Sequence, residues 1–194
     1  MHKIYVTEGI VLAKRGVGEA NTQVALFTKE LGLLRATAKS ARFEKSKLRY
    51  GLQSLTLGRF SLVRGRNEWK IVGVENISQL LTGALRDAKS ASGRVSRLLL
   101  RLIHGEEQGE KLYSVVKTGF VFFSNSSVRE EIESGEWVLV LRILSSLGYV
   151  ARSEALTPFI EGEGEITGDL ATKAREFRPF LLRTINESLA VSGL

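Results

Sequence analysis

Leu52-Gln53-Ser54-Leu55-Thr56-Leu57-Gly58-Arg59-Phe60-Ser61-Leu62-Val63-Arg64 reads as one long strand whose apolar phase slips midway. Leu55 and Leu57 keep one parity, Phe60 and Leu62 the other, and Gly58 stands at the change. Strand side chains alternate between two faces, so such a slip needs one extra residue, and a glycine beside it suits a β-bulge. Bulges bend strands around barrel corners. The stretch therefore predicts a strand of a small closed barrel.

Four more strands are expected around it. Ile4 to Lys14 puts Ile4, Val6, Ile10 and Leu12 on one face and runs into the turn Arg15-Gly16-Val17-Gly18. Thr22 to Thr28 carries Val24, Ala25, Leu26 and Phe27. After the corner Glu30-Leu31-Gly32, Leu33 to Ala41 alternates Leu34, Ala36 and Ala38 with Arg35, Thr37 and Lys39, a small apolar face inward and a basic face outward. A charged loop, Arg42 to Arg49, precedes the bent strand. Arg64-Gly65-Arg66-Asn67 is a hairpin turn into a fifth strand, Trp69 to Asn76. Five short, bent strands fit an OB-type barrel, and an SH3-like barrel shares the pattern.

From Ile77 the period becomes helical. Leu81, Leu85, Ala88, Val95, Leu98, Leu99 and Leu102 recur at steps of three and four up to Gly105. Leu112, Val115, Val116, Gly119, Phe120 and Phe123 mark a second helix. Glu130 to Leu147 is a third, with Ile132, Val138, Leu141 and Leu144 inward and Gly148 as its stop. Residues 152–168 read as a polar loop, and a last helix through Leu170, Ala174, Phe177, Leu181, Ile185 and Leu189 is kinked or divided by Pro179. The expected fold class is α+β: a five-stranded OB-fold barrel over residues 1–78 and an all-helical domain over 79–194.

The 194 residues are 43% hydrophobic and 25% charged, the balance of a soluble globular protein. No apolar run is long enough to span a membrane, and Met1 to Glu8 lacks a signal peptide's apolar stretch, so a cytoplasmic protein is expected. Cysteine is absent, which excludes disulfides, thiol nucleophiles and thiolate zinc sites. His2 and His104 are far apart, and His104 reads as a helix-end residue before Gly105, so no metal and no cofactor are expected. Gly16-Val17-Gly18 lacks the rest of a dinucleotide fingerprint, and no phosphate loop, nucleophile elbow or HExxH pair occurs. Glutamates at 106–107, 130–131 and 161–165 suit loops and helix starts rather than a paired acid and base. An enzyme is not expected.

Charge is distributed unevenly. Residues 1–70 hold 14 Lys+Arg against 5 Asp+Glu, a net of +9, and the remainder a net of −2, within an overall +7. Arg35, Lys39, Arg42, Lys45, Lys47 and Arg49 place six cations and one anion in fifteen residues. Duplex DNA carries a negative charge about every 1.7 Å of its axis, so such a row matches several phosphates. Phe43 and Tyr50 flank the loop and suit stacking on unpaired bases. Arg64 and Arg66 form a second cluster at a hairpin tip, Lys14 and Arg15 a third at the first turn. A plain solvated surface is the alternative for any one run; three clusters at the turns of one barrel favour nucleic acid, bound by backbone and not by base sequence. Phe27, Phe60 and Trp69 read as barrel-core or sheet-packing residues, with stacking on a base as the alternative for Trp69. Arg94, Arg97 and Arg101 share a face of the first helix, which is either solvated, an extension of the basic track, or a dock for an acidic peptide.

Thr7-Glu8-Gly9-Ile10-Val11-Leu12, then Gly18-Glu19-Ala20, Leu26-Phe27-Thr28 and Leu31-Gly32, resemble the opening of the RecO family. Ala38-Lys39-Ser40-Ala41-Arg42, Lys45-Ser46-Lys47-Leu48 and Leu52 to Gly58 continue the likeness in order over residues 4–103, and Leu141 to Tyr149 resembles a later helix end. The resemblance implies an N-terminal OB-fold, a helical C-terminal domain and often a four-cysteine zinc module. It also implies binding of single- and double-stranded DNA, annealing, and partnership with RecR and the C-terminal tail of single-strand DNA-binding protein, with RecA loading as the outcome. The basic barrel residues are where DNA would lie. Where the zinc cysteines would follow Tyr149, this sequence has a glutamate-rich loop instead. The rival expectation is an OB-fold RNA-binding structural module of ribosomes.

Overall fold

Alternation of inward and outward side chains draws the chain up to Gln79 into five strands: β1 (Ile4–Val17), β2 (Asn21–Thr28), β3 (Gly32–Ala38), β4 (Thr56–Arg64) and β5 (Trp69–Gln79). A computed structural model describes residues 3–66, 68–103, 105–106, 109–151, 153–161 and 164–193. Asn67 of the expected hairpin turn, the two histidines, Glu107 and Glu163 lie outside the described residues. The strands close in the order β1-β2-β3-β5-β4. β1 is long enough to pair with two neighbours, with β4 from Ile4↔Val63 to Ile10↔Leu57 and with β2 from Gly9↔Thr28 to Val17↔Asn21. The barrel closes through a short parallel pairing of β3 with β5, Ala36↔Trp69 and Thr37↔Lys70. That connectivity makes it an OB-fold and sets the SH3-like alternative aside.

The barrel interior holds Val11, Val24, Leu26, Leu34, Ala36, Ala38, Leu52, Phe60, Leu62, Trp69 and Ile71. Small and large residues are matched: Ala36 stands opposite Trp69 in the register. The expected bulge is present, because the β4–β5 register shifts between Leu57 and Arg59. β4 begins at Thr56 and not at Leu52. A four-residue helix, α1 (Leu48–Gly51), occupies the end of the expected loop, and Leu52 plugs the barrel. The chain then turns at Leu55, whose backbone is left-handed at φ 62° and whose N–H donates to the Val11 carbonyl at 2.7 Å.

The face of β1 that carries Ile4 and Val6 does not fill the barrel. Ile4 and Val6 are 59% and 49% exposed, whereas Val11 faces the interior and Tyr5 packs edge-on against Trp69 at 5.2 Å. Leu12 is buried at the β1–β2 register shift, and Ile10 is buried on the outside of the barrel: it is paired with Phe27, and the Phe27 ring meets Tyr113 at 5.6 Å. The apolar parity of β1 therefore reports a second layer, supplied by the segment that carries Tyr113. Burial there, with Glu8 and Glu30 close by, pushes the Tyr113 phenol above its ordinary range.

The helices are α2 (Arg86–Leu102), α3 (Glu110–Asn125), α4 (Arg129–Ser146), α5 (Thr157–Ile160), α6 (Gly168–Glu176) and α7 (Arg178–Val191). Helix therefore starts at Arg86 and not at Ile77, which is still in β5; Leu85 before it is exposed. Two compact units result, Met1–Leu80 with Ser96–Tyr113 and Leu81–Val95 with Ser114–Leu194, so the division falls inside α2 and α3. In the second unit α4 packs on α5, α6 and α7. Two glycines set the approach of α3 to α4: a Cβ on Gly119 would sit 2.4 Å from Leu139, and one on Gly135 would sit 2.2 Å from Phe122. α4 stops at Gly148 (φ 82°), where the Tyr149 N–H reaches back to the Leu144 carbonyl at 2.9 Å. Pro179, in the first turn of α7, divides the last helix from α6.

The polar loop at 152–168 is also corrected. Leu156, Phe159 and Ile166 within it are buried, and α5 lies among them. Arg142, 4% exposed, holds this segment through its guanidinium, which donates from Nε to the Phe159 carbonyl at 2.9 Å and from Nη1 to the Gly164 carbonyl at 2.8 Å. Burial lowers its pKa from the ordinary arginine value.

Candidate nucleic-acid interface

Pairing registers place side chains from four strands in one line across the outside of the barrel. Arg15 on β1 is opposite Gln23 on β2, Gln23 is opposite Thr37 on β3, and Thr37 is opposite Lys70 on β5. Strands lie about 4.8 Å apart, so Arg15 and Lys70 stand about 14 Å apart along this row. Arg35 lies two residues from Thr37 on the same face, above inward Leu34 and Ala36. The Arg15 Nε donates to Gln23 Oε1 at 2.8 Å, which lays the arginine along the surface. The Thr37 hydroxyl donates to Glu68 Oε2 at 2.8 Å, so one carboxylate also borders the row. In OB-folds this β2–β3 face, with the β1–β2 and β4–β5 turns, receives oligonucleotides.

All three basic clusters foreseen in the sequence are exposed, but the structure gives their members different settings. Lys39 and Arg42 follow the end of β3, next to the β1–β2 turn, because Ala38 pairs with Thr22. Arg42 is braced there: its N–H donates to the Ala20 carbonyl at 2.9 Å, and its Nη1 to the Gly18 carbonyl at 2.9 Å. One of five guanidinium donors is thus engaged, and the rest of the group is available to an anion. Lys14 donates to Gln53, whose own amide donates to the Arg49 carbonyl at 2.8 Å. Lys14 therefore anchors the chain that carries Lys45, Lys47 and Arg49. On that excursion Phe43 is 58% and Tyr50 69% exposed, two rings open to solvent.

Arg64 and Arg66 flank the β4–β5 turn, beside the end of β3 through the Ala36↔Trp69 pairing. Arg66 is exposed. Arg64 is engaged: its guanidinium lies over the Trp69 ring at 5.2 Å and its Nη1 contacts Glu106 Oε2 at 3.0 Å. Phe60 and Trp69 are core residues, as their sequence setting suggested, and Phe27 packs outside the barrel. Lys70 and Glu106 were missed by sequence reading. Lys70 was signalled by alternation between buried Trp69 and Ile71. Glu106 had no signal, since it lies 42 residues from Arg64.

On α2, Arg94 makes a two-pronged contact with Glu136, at 2.7 Å from Nε and 2.6 Å from Nη2, and this hydrogen bonding raises the arginine's pKa. Arg97 and Arg101 are exposed. A cavity of about 490 Å³ in the helical unit is lined by Glu130, Glu133 and Glu176 as well as Arg175 and Arg178, so it is not a cationic pocket. Among the described residues no three His, Cys, Asp or Glu side chains are placed to hold a metal ion. With no cysteine in the sequence, the donors after Tyr149 do not fit a thiolate zinc module; Arg142 organises that segment instead. No helix among the described residues is long and apolar enough to cross a membrane.

Residues 1–80 match the family described as Recombination protein O N terminal. The chain is 31% identical over 153 residues to a protein from Heliobacterium modesticaldum named DNA repair protein RecO, covering 76% of this chain and 52% of that protein. A protein of the same name from Gloeothece citriformis is 31% identical over 118 residues, 60% of this chain and 41% of the other. One from Alkaliphilus metalliredigens is 40% identical over 65 residues, 34% of this chain and 26% of the other. The chain thus spans about half the length, or less, of these curated relatives. Motifs in family order, an OB barrel where the family match lies and identity that continues beyond it lead to one conclusion: residues 1–80 are a RecO-family N-terminal domain, and the chain beyond them is similar to RecO proteins.

Proposed function

We propose that this protein is a non-catalytic recombination mediator of DNA repair, acting in the cytoplasm at the nucleoid. Residues 1–78 would hold single- and double-stranded DNA by their backbones, and residues 79–194 would recruit protein partners. The observation that carries the reading is the cross-strand row Arg15, Gln23, Thr37 and Lys70, with Arg35 beside it and cationic turns at its ends. Lysine and arginine neutralise phosphates and release their counterions whatever the base sequence. Lys39, Arg42, Lys45, Lys47 and Arg49 extend the contact along the excursion, Phe43 and Tyr50 stack on unpaired bases, and Lys14, Arg64 and Arg66 support the turns. Neutralising two strands on one surface removes the repulsion that opposes their pairing, which is the physical basis for annealing.

RecR and the acidic C-terminal tail of single-strand DNA-binding protein are the proposed protein partners, as the family resemblance implies, with RecA loading as the outcome. Arg97 and Arg101 are the exposed cations that suit the tail; Arg94, held by Glu136, is less suited. Binding of a labelled single strand is measured against salt, and its complement is then added. The expected result is a log–log slope of several units and faster annealing than without protein. No binding at low salt overturns the barrel assignment. Tighter binding of folded RNA than of single-stranded DNA replaces the mediator reading with the RNA-binding one.

A further inference from the structure

We infer that the Arg64 guanidinium and the Trp69 indole N–H form a phosphate-binding pair at the β4–β5 turn, a pair held in this structure by the carboxylate of Glu106. The inference rests on the reading of the barrel as a DNA-binding surface. Trp69 Nε1 donates to Glu106 Oε1 at 3.0 Å, and Arg64 Nη1 donates to Oε2 at 3.0 Å. One carboxylate thus takes both donors, one on each oxygen. A phosphodiester offers the same arrangement, two anionic oxygens on a single centre, and guanidinium recognises both groups.

The two donors are fixed in place. Trp69 is 5% exposed in the barrel core, its ring met edge-on by Tyr5 at 5.2 Å. The Arg64 guanidinium lies over the same ring, 5.2 Å from its centroid. A buried indole N–H needs an acceptor, and a phosphate oxygen replaces the carboxylate without leaving it unpaired. Glu106 is the weaker partner. Its side chain is 41% exposed, that of Arg64 60%, and it lies in the connection between α2 and α3, outside any helix or strand. An ion pair this open to water is readily exchanged for a polyanion. The residue after Trp69 is Lys70, which alternation places on the outer face in the cationic row.

The test uses the full chain and a labelled single-stranded oligonucleotide titrated against salt. Glu106→Gln keeps a carbonyl for the indole N–H and removes the charge competing for Arg64. Affinity is expected to rise about threefold, the size of one exposed ion pair released, and the salt slope to steepen by about one unit. In an Arg64→Ala background the same substitution is expected to change neither. Glu68→Gln removes a nearby carboxylate that bonds Thr37 and not Arg64, and so measures the effect of charge alone. A Glu106→Gln gain equal to that of Glu68→Gln, or one that persists without Arg64, overturns the inference and leaves the barrel's DNA binding standing. A chain that binds no DNA at low salt overturns both. Thermal unfolding of each variant separates a lost fold from a lost contact.

Discussion

Arginine plays opposite parts in the two units. On the barrel, Arg15, Arg35, Lys39 and Arg42 are exposed on the outer face or its turns, and Arg15 and Arg42 are each oriented by one side-chain hydrogen bond, to Gln23 and to the Gly18 carbonyl. In the helical unit, Arg142 is buried on two carbonyls, Arg94 is taken up by Glu136, and Arg178 lies over the Trp137 ring at 5.5 Å. The same side chain serves as a solvent-facing charge in one setting and as a packing element in the other. Net charge points to the barrel because the chain beyond residue 70 holds 14 Lys+Arg against 16 Asp+Glu.

The largest expected effect falls on binding. Changing Arg35, Lys39 and Arg42 together to alanine removes about three phosphate contacts, and should weaken DNA binding on the order of several hundred-fold at 0.1 M salt with a slope lower by about three units. Unfolding temperature should barely move, because these residues are exposed. An equal loss of stability and affinity would break the contrast between the units. Arg142→Met reverses the pattern. It leaves the carbonyls of Phe159 and Gly164 without their charged donor, and should cost about 2–3 kcal/mol of stability in denaturant unfolding. DNA affinity of the still-folded fraction should be unchanged.

A smaller effect sharpens the account of the barrel. Phe43→Ala with Tyr50→Ala should weaken single-strand binding by about 2 kcal/mol, some thirtyfold, since base stacking on a ring is worth about 1–3 kcal/mol. Duplex binding and the salt slope should hold. Parallel losses on both substrates would mean that the rings support the loop and do not read strandedness. Smallest of all, Arg94→Ala should cost about 0.5 kcal/mol of stability, because the arginine half of its pair with Glu136 is half exposed. Calorimetry at low and high salt checks this: the difference should shrink as salt rises.

Much of the fold was legible in the chain. The phase slip at Gly58 marked the bulge, the alternation of Leu34, Ala36 and Ala38 marked the inner face of β3, and Gly148 and Pro179 marked where helices end. The basic clusters were legible as well, because turns of a barrel are exposed whichever way it closes. The pattern of β1 did not tell which of its faces fills the barrel, for a physical reason. Period two shows that a strand has two faces and that one is apolar, but a strand covered on both sides carries apolar residues on each. Leu156, Phe159 and Ile166 were hidden in a loop rich in charge, where isolated apolar residues have no period.

Sequence alone determined the local terms: which residues bend, which stop a helix, and that positive charge gathers ahead of residue 70. Those depend on neighbours a few positions apart and on backbone sterics. The tertiary structure alone decided that Arg15, Gln23, Thr37 and Lys70 form one row, that Arg142 turns inward, and that Glu106 meets Arg64 and Trp69. Each of these joins residues far apart in the chain. Their proximity follows from barrel closure and helix packing, which are summed over the whole core and leave no mark at any single position.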